Sequence, residues 1–175
     1  MFLSNMRNKH KDVNMVKCVS ECVLMLHDIR SVHNVGSLFR TADGAGVSRI
    51  ILSGYTPTPL DRFGNARKDF CKVSLGAEES IPWEVVESLD SKLGSLKTEG
   101  YIIVMIEQHA ISKSLFEWKP PTGSRLAIVL GNEVLGISEQ TMGHADVILE
   151  IPMLGKKESL NVSVAGGVAL FELLK

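Results

Sequence analysis

Five short, nearly unbroken apolar runs constrain most strongly how this chain can fold: Val23–His27, Val47–Ser53, Tyr101–Glu107, Leu126–Leu130 and Val147–Ile151. A strand covered on both faces has no polar half to its pattern, so such runs mark a buried, largely parallel sheet. Parallel neighbours need long crossovers, and helical patterns do fall between the runs. With 175 residues, 45% of them hydrophobic, the chain can build one substantial core and hence one α/β domain.

The first helix is expected to begin at Asn34, a favourable capping residue, with Val35, Leu38, Phe39 and Ala42 as its apolar stripe and Arg40 off that stripe. A second is expected over Pro82–Leu96, with proline in the first turn and Val85, Val86, Leu89, Leu93 and Leu96 buried. Ser138–His144 fits a short helix, and the last runs from about Ser159, a capping residue type, to Leu174. That last helix contains Gly166-Gly167, which lower helix propensity and point to close backbone packing, for instance against a second subunit. Gly54–Glu79 carries Pro, Gly and the basic residues Arg62, Arg67, Lys68 and Lys72, and is expected as a long functional loop.

The formal net charge of −1 supplies no general attraction to nucleic acid, so any RNA contact must rest on a local basic surface. Cys18, Cys22 and Cys71 are expected as unpaired thiols in a reducing compartment, and Cys71 as no nucleophile. Cys18 and Cys22 find no second pair of ligands at zinc spacing, so no metal is expected. Residues 1–20 are expected as a flexible basic arm with Arg7, Lys9 and Lys11, and 21–175 as the domain. No stretch has the apolar character of a signal peptide or a membrane span, which gives a cytoplasmic expectation.

Three glycine-containing junctions need testing against the common phosphate-binding loops. Gly44-Ala45-Gly46 precedes a strand and has Arg49 where a dinucleotide fingerprint needs its third glycine. Gly131–Ser138 has P-loop spacing, but Ile137 replaces the lysine that would meet the phosphates. Three segments remain: His27–Ala42, with Asn34, Gly36 and Arg40 just after a strand; Leu130-Gly131-Asn132-Glu133-Val134-Leu135-Gly136; and Ile151-Pro152-Met153 followed by Glu158-Ser159-Leu160-Asn161-Val162-Ser163. Each lies after a strand, where open α/β sheets place ligands.

In this order the three segments closely resemble the motifs of the SpoU/TrmH class of SPOUT RNA 2′-O-ribose methyltransferases, from about Leu26 to Leu174. The resemblance implies a single knotted α/β domain in which the C-terminal segment threads through a loop to form a deep trefoil knot, a topology no pattern would suggest. It implies S-adenosyl-L-methionine as cofactor and a ribose 2′-hydroxyl of tRNA or rRNA as acceptor. It also implies a homodimer with cofactor sites near its interface. By the resemblance Arg40 stands at the reacting centre, with Asn34, Glu133, Ser159 and Asn161 organising it. Arg40 would act either as a base or, since a guanidinium keeps its proton to above about pH 12, as an electrostatic stabiliser. Gly131, Ile151, Met153 and Leu160 are expected to hold the cofactor, largely by main-chain and apolar contact.

No separate N-terminal RNA-binding domain is expected, which leaves recognition to the core domain, with the 62–72 loop and the arm as contacts. A non-catalytic RNA-binding protein on the same fold is the alternative. It has no need of Asn34, Arg40, Glu133, Ser159 and Asn161 together.

Overall fold

The computed structural model describes residues 18–175, so the arm up to Lys17 lies outside the described residues. The chain runs β1 (Val19–His27), α1 (Val32–Ala45), β2 (Arg49–Ser53), α2 (Lys68–Ser74), α3 (Ala77–Ser80), β3 (Trp83–Val86), α4 (Leu89–Thr98) and β4 (Tyr101–Ile106). It continues through β5 (Lys113–Ser114), β6 (Ser124–Leu130), α5 (Glu139–Met142), β7 (Val147–Glu150) and α6 (Val162–Leu173). These strands form one sheet in the order β3-β2-β1-β6-β4-β7-β5, and every pairing is parallel. β1 thus begins two residues inside the stretch expected as the arm.

Alternate residues of the central strands feed two cores. Leu24 and Leu26 of β1 and Ile128 of β6 pack with Leu38 and Phe39 of α1 and Leu170 of α6 on one face. Val23, Met25 and Val129 pack with Leu93 and Leu96 of α4 on the other. The unbroken apolar runs follow directly, because successive side chains point to opposite faces and both are covered.

Several expected boundaries are corrected. The stretch expected as one helix over Pro82–Leu96 is divided: Trp83–Val86 is a strand on β2, and Ser88 starts α4 by accepting a hydrogen bond from Ser91 N at 3.2 Å. Val85 and Val86 favour the pleated edge that β2 offers, and Val85 is more than half exposed rather than on a buried helix face. The expected long loop contains α2 and α3, anchored by Phe70, whose ring meets Phe39 edge-on at 5.1 Å. α1 is capped by Ser31, whose side chain accepts from Asn34 N at 3.3 Å, so Asn34 sits within the first turn. Asn161, not Ser159, caps α6. Gly46, with φ 77°, closes α1, which gives that glycine a structural reason.

After β7, segment 151–161 passes the C-terminal ends of β4 and β6 and delivers α6 onto α1. A Cβ on Gly166 would stand 2.5 Å from Leu38 Cδ2 and 2.7 Å from Leu130 Cδ1. The close packing expected at that glycine is therefore met within the chain. No described helix is long and apolar enough to cross a membrane.

Candidate functional site

The C-terminal ends of β4, β6 and β7, the loops that follow them and the start of α6 enclose a cleft with about 700 Å³ of space open to solvent. Leu130, Ile151, Met153, Leu160 and Val162 give it apolar walls, while Glu107, Gln108, Asn132, Glu133, Glu150 and Ser159 add polar groups. All four residues expected to hold a cofactor, Gly131, Ile151, Met153 and Leu160, line this space.

The loop after β6 is built around Asn132. Its side-chain amide donates to Asp28 O at 2.8 Å and to the Tyr55 hydroxyl at 2.6 Å. Its Oδ1 accepts from Val134 N at 2.9 Å and Leu135 N at 2.8 Å, which uses the hydrogen-bonding capacity of a nearly buried amide in full. At the far end of the loop Ile137 N donates to Glu107 Oε2 at 3.1 Å. A Cβ on Gly131 would meet Ile137 Cγ1 at 2.5 Å and the Gly136 carbonyl at 2.9 Å, so the loop closes only over glycine there. Asp28 adopts φ 54°, a backbone state Asp tolerates better than most residues, and its Oδ1 accepts from Tyr55 N at 3.1 Å.

A polar chain joins the three sequence motifs beside the cleft. Glu133 accepts from Arg30 N at 3.0 Å, Ser31 N at 3.4 Å and Asn34 Nδ2 at 2.9 Å. Asn161 Nδ2 donates to Asn34 Oδ1 at 3.2 Å, and Asn161 Oδ1 accepts from Ser163 N at 2.9 Å. Burial pushes the Glu133 carboxyl upward, but the donors at the start of α1 outweigh it and hold the group below the ordinary glutamate range. Glu133 is therefore an anion at neutral pH.

Arg40 stands apart. It is exposed on α1, about 9 Å along the helix from Asn34 at 1.5 Å per residue, and lines a shallow depression with Ser37, Thr41, Gly44, Val73 and Phe171. The fold thus gathers Asn34, Glu133 and Asn161 through hydrogen bonds and sets Ser159 in the cleft wall, but does not bring Arg40 to them. Asn132, Glu107, Asp28 and Tyr55 escaped sequence reasoning. Asn132 lay inside the quoted motif, yet the partners that give it a role come from the chain just after β1 and just after β2, which no spacing reveals.

The three cysteines are unpaired. Burial pushes the Cys22 thiol up to about 12, and a hydrogen bond with Glu78 raises that of Cys71, so neither forms a ready nucleophile. Among the described residues no three His, Cys, Asp or Glu side chains converge as a metal site.

Residues 21–171 match the model of the SpoU rRNA Methylase family. A relative named 23S rRNA (guanosine-2′-O-)-methyltransferase RlmB from Salmonella typhi is 37% identical over 153 residues, 87% of this chain and 59% of the relative. Its counterpart from Escherichia coli strain K12 is 38% identical over the same shares. The chain therefore spans about three-fifths of the length of the curated relatives it matches. Among solved structures, an AdoMet-bound rRNA methyltransferase from Sinorhizobium meliloti superposes with TM-score 0.78 at 27% identity, covering 87% of this chain and 55% of that one. A TrmH/SpoU tRNA modifying enzyme from A. aeolicus gives 0.73 at 26%, covering 90% and 76%. The match covers all three motifs, the cleft they line and the strands that carry them, and with it the chain belongs to the SpoU rRNA Methylase family.

Proposed function

We propose that this protein transfers a methyl group from S-adenosylmethionine to a ribose 2′-hydroxyl of rRNA or tRNA. The observation that carries this reading is the hydrogen-bonded chain Glu133–Asn34–Asn161 beside a cleft lined by the same motifs. The cleft suits the cofactor's chemistry: apolar walls for a purine, and the carboxylates of Glu107 and Glu150 for hydroxyl or ammonium groups. Gly131, Ile151, Met153 and Leu160 would hold it. When bound, it supplies a methyl group already activated on a sulfonium.

The protein's own work is then mainly alignment. Glu133, fixed by two backbone N–H groups, orients the Asn34 amide, which in turn fixes Asn161 at the start of α6. Ser159, in the cleft wall, and the neighbouring Asn161 would meet the ribose as it approaches. Arg40 binds the RNA phosphate and stabilises negative charge growing on the 2′-oxygen while keeping its own proton; as the methyl leaves sulfur for that oxygen, the hydroxyl proton passes to solvent. Because Arg40 lies away from its own chain's cleft, this role calls for a symmetric homodimer in which α1 faces the partner's cleft. Half-exposed Val164 and Phe171 on α6 support such a contact. The segment 151–161 is inferred to thread beneath the 131–138 loop, and the free thiols suit the cytoplasm.

The test is incubation with methyl-labelled S-adenosylmethionine and, separately, unmodified rRNA and total tRNA, followed by nucleoside mass spectrometry. A 2′-O-methyl nucleoside that disappears with Arg40→Ala is expected. Cofactor binding without transfer to either pool would overturn the substrate assignment, and no cofactor binding would leave a non-catalytic RNA-binding protein.

A further inference from the structure

The segment between β2 and α2 forms a small, well-braced hairpin with a largely exposed tip. Its root is pinned to the sheet: Thr56 Oγ1 donates to Ser53 O at 2.8 Å, and the Tyr55 hydroxyl accepts from Asn132 in the cleft wall. Leu60 and Ala66 pair antiparallel, and Arg67 N donates to Pro59 O at 2.9 Å. Asp61 ties the turn by accepting from Phe63 N at 2.8 Å and Asn65 N at 2.9 Å, and Gly64 completes it at φ 81°.

This bracing presents Phe63 outward with 73% of its surface exposed, and the Arg62 guanidinium lies 4.7 Å from its ring centroid. A single exposed ring is ordinary on a protein surface; what distinguishes Phe63 is the braced turn that holds it and the charges of its segment. Residues 54–72 hold four basic and two acidic side chains; Asp61 is committed to the turn and Asp69 to Arg67 at 2.9 Å. Among the described residues Arg62, Lys68 and Lys72 have no ion-pair partner. A rigid aromatic with Arg62 over one ring face, on a segment that also carries the unpaired cations Lys68 and Lys72, matches an unstacked base with its flanking phosphates, since every base offers a π-face and each phosphate a charge.

We propose that the 60–66 hairpin is a base-stacking platform: the face of Phe63 that Arg62 leaves open stacks on an unpaired nucleotide of the RNA while Lys68 meets a flanking phosphate. The inference rests on the RNA methyl-transfer reading. It adds to that reading a residue that contacts the RNA outside the cleft.

The test measures binding of the full chain to a fluorescein-labelled RNA stem-loop and to a blunt duplex of the same stem, across a salt series. Stacking of one base corresponds to about 1–3 kcal/mol, so Phe63→Ala is expected to weaken stem-loop binding about 5- to 150-fold. The slope of log K against log salt should stay unchanged, because no phosphate contact is lost. Duplex binding should not move, Phe63→Tyr should keep most of the affinity, and Phe63→Leu should lose it. Lys68→Ala should instead reduce the slope by about 1. Truncating so exposed a ring should leave the urea midpoint of unfolding unchanged from the parent, separating lost stacking from lost folding. Equal stem-loop affinity for Phe63→Ala and wild type would overturn the platform while the methyl-transfer reading stands. A change in sedimentation with Phe63→Ala would do the same by assigning the tip to a protein contact. If the unaltered protein neither binds nor methylates RNA, both readings fall.

Discussion

Adjacent glycines in α6 should respond in opposite ways to the same substitution. Replacing glycine by alanine in a helix interior gains about 1 kcal/mol of propensity. At Gly167 the new Cβ would find its nearest neighbour, Thr41 Cγ2, at 3.6 Å, an ordinary contact. Gly167→Ala should therefore stabilise the protein by about 1 kcal/mol, roughly 2–4 °C in Tm for a chain of this size. At Gly166 the same methyl would lie 2.5 Å from Leu38 and 2.7 Å from Leu130. Both leucines are essentially fully buried, so neither side chain can swing into solvent. Either the leucines leave their rotamers or α6 backs away from α1, and overpacking of this kind costs about 1–3 kcal/mol. Set against the propensity gain, Gly166→Ala should be neutral to about 2 kcal/mol destabilising. The pair should thus differ by about 1–3 kcal/mol in urea unfolding at one fixed protein concentration, which keeps any dimer contribution constant. Equal stabilisation by both would refute the packing of α6 described above.

Gly131→Ala should open the loop after β6, because its Cβ meets backbone atoms of Gly136 that cannot rotate away; a cost of about 1–3 kcal/mol corresponds to S-adenosylhomocysteine binding about 5- to 150-fold weaker by calorimetry, and unchanged affinity would contradict the placement of the cofactor. Asn132→Ala removes four hydrogen bonds, leaving Val134 N and Leu135 N without their acceptor, and should lower unfolding free energy by about 1–3 kcal/mol, with Asn132→Asp intermediate because it keeps the acceptor. Glu133 has a depressed folded-state pKa, so its contribution is fully present above the unfolded value near 4.3 and is lost as pH falls through the lower folded value. Glu133→Gln should flatten the stability profile in that acidic window, and an unaltered profile would show the carboxylate to be unengaged.

The central strands were legible because burial on both faces leaves an unbroken apolar signature, and α1 because its stripe is long. β3 was not. Val85, Val86, Leu89, Leu93 and Leu96 satisfy helical spacing well enough to hide a strand whose reason for existing is the free edge of β2. α2 is too short for periodicity to separate it from a loop. The candidate site was visible in the sequence as three motifs, and Gly131, Ile151, Met153, Leu160 and Ser159 from two of them line the cleft. Its wiring was not. Ser31 and Asn34 are both good caps, and only the position of Glu133, about a hundred residues away, selects Ser31 for the helix and leaves Asn34 to the network. Arg40 was visible as a residue off the apolar stripe, but sequence does not say toward which cleft such a residue turns.

The order of strands also bears on how the chain is made. β1 sits between β2 and β6, with Leu24 opposite Ile128, so one whole edge of the first strand has no partner until the chain beyond residue 124 exists. At roughly 5–20 residues per second a ribosome needs roughly 5–20 s to add that intervening length, during which the β1 edge and its largely apolar faces stand open beside a half-built sheet. Long-range parallel pairing of this sort also slows folding after release. Yield in cells should therefore depend on what shields β1 during synthesis more than on the stability of the finished sheet.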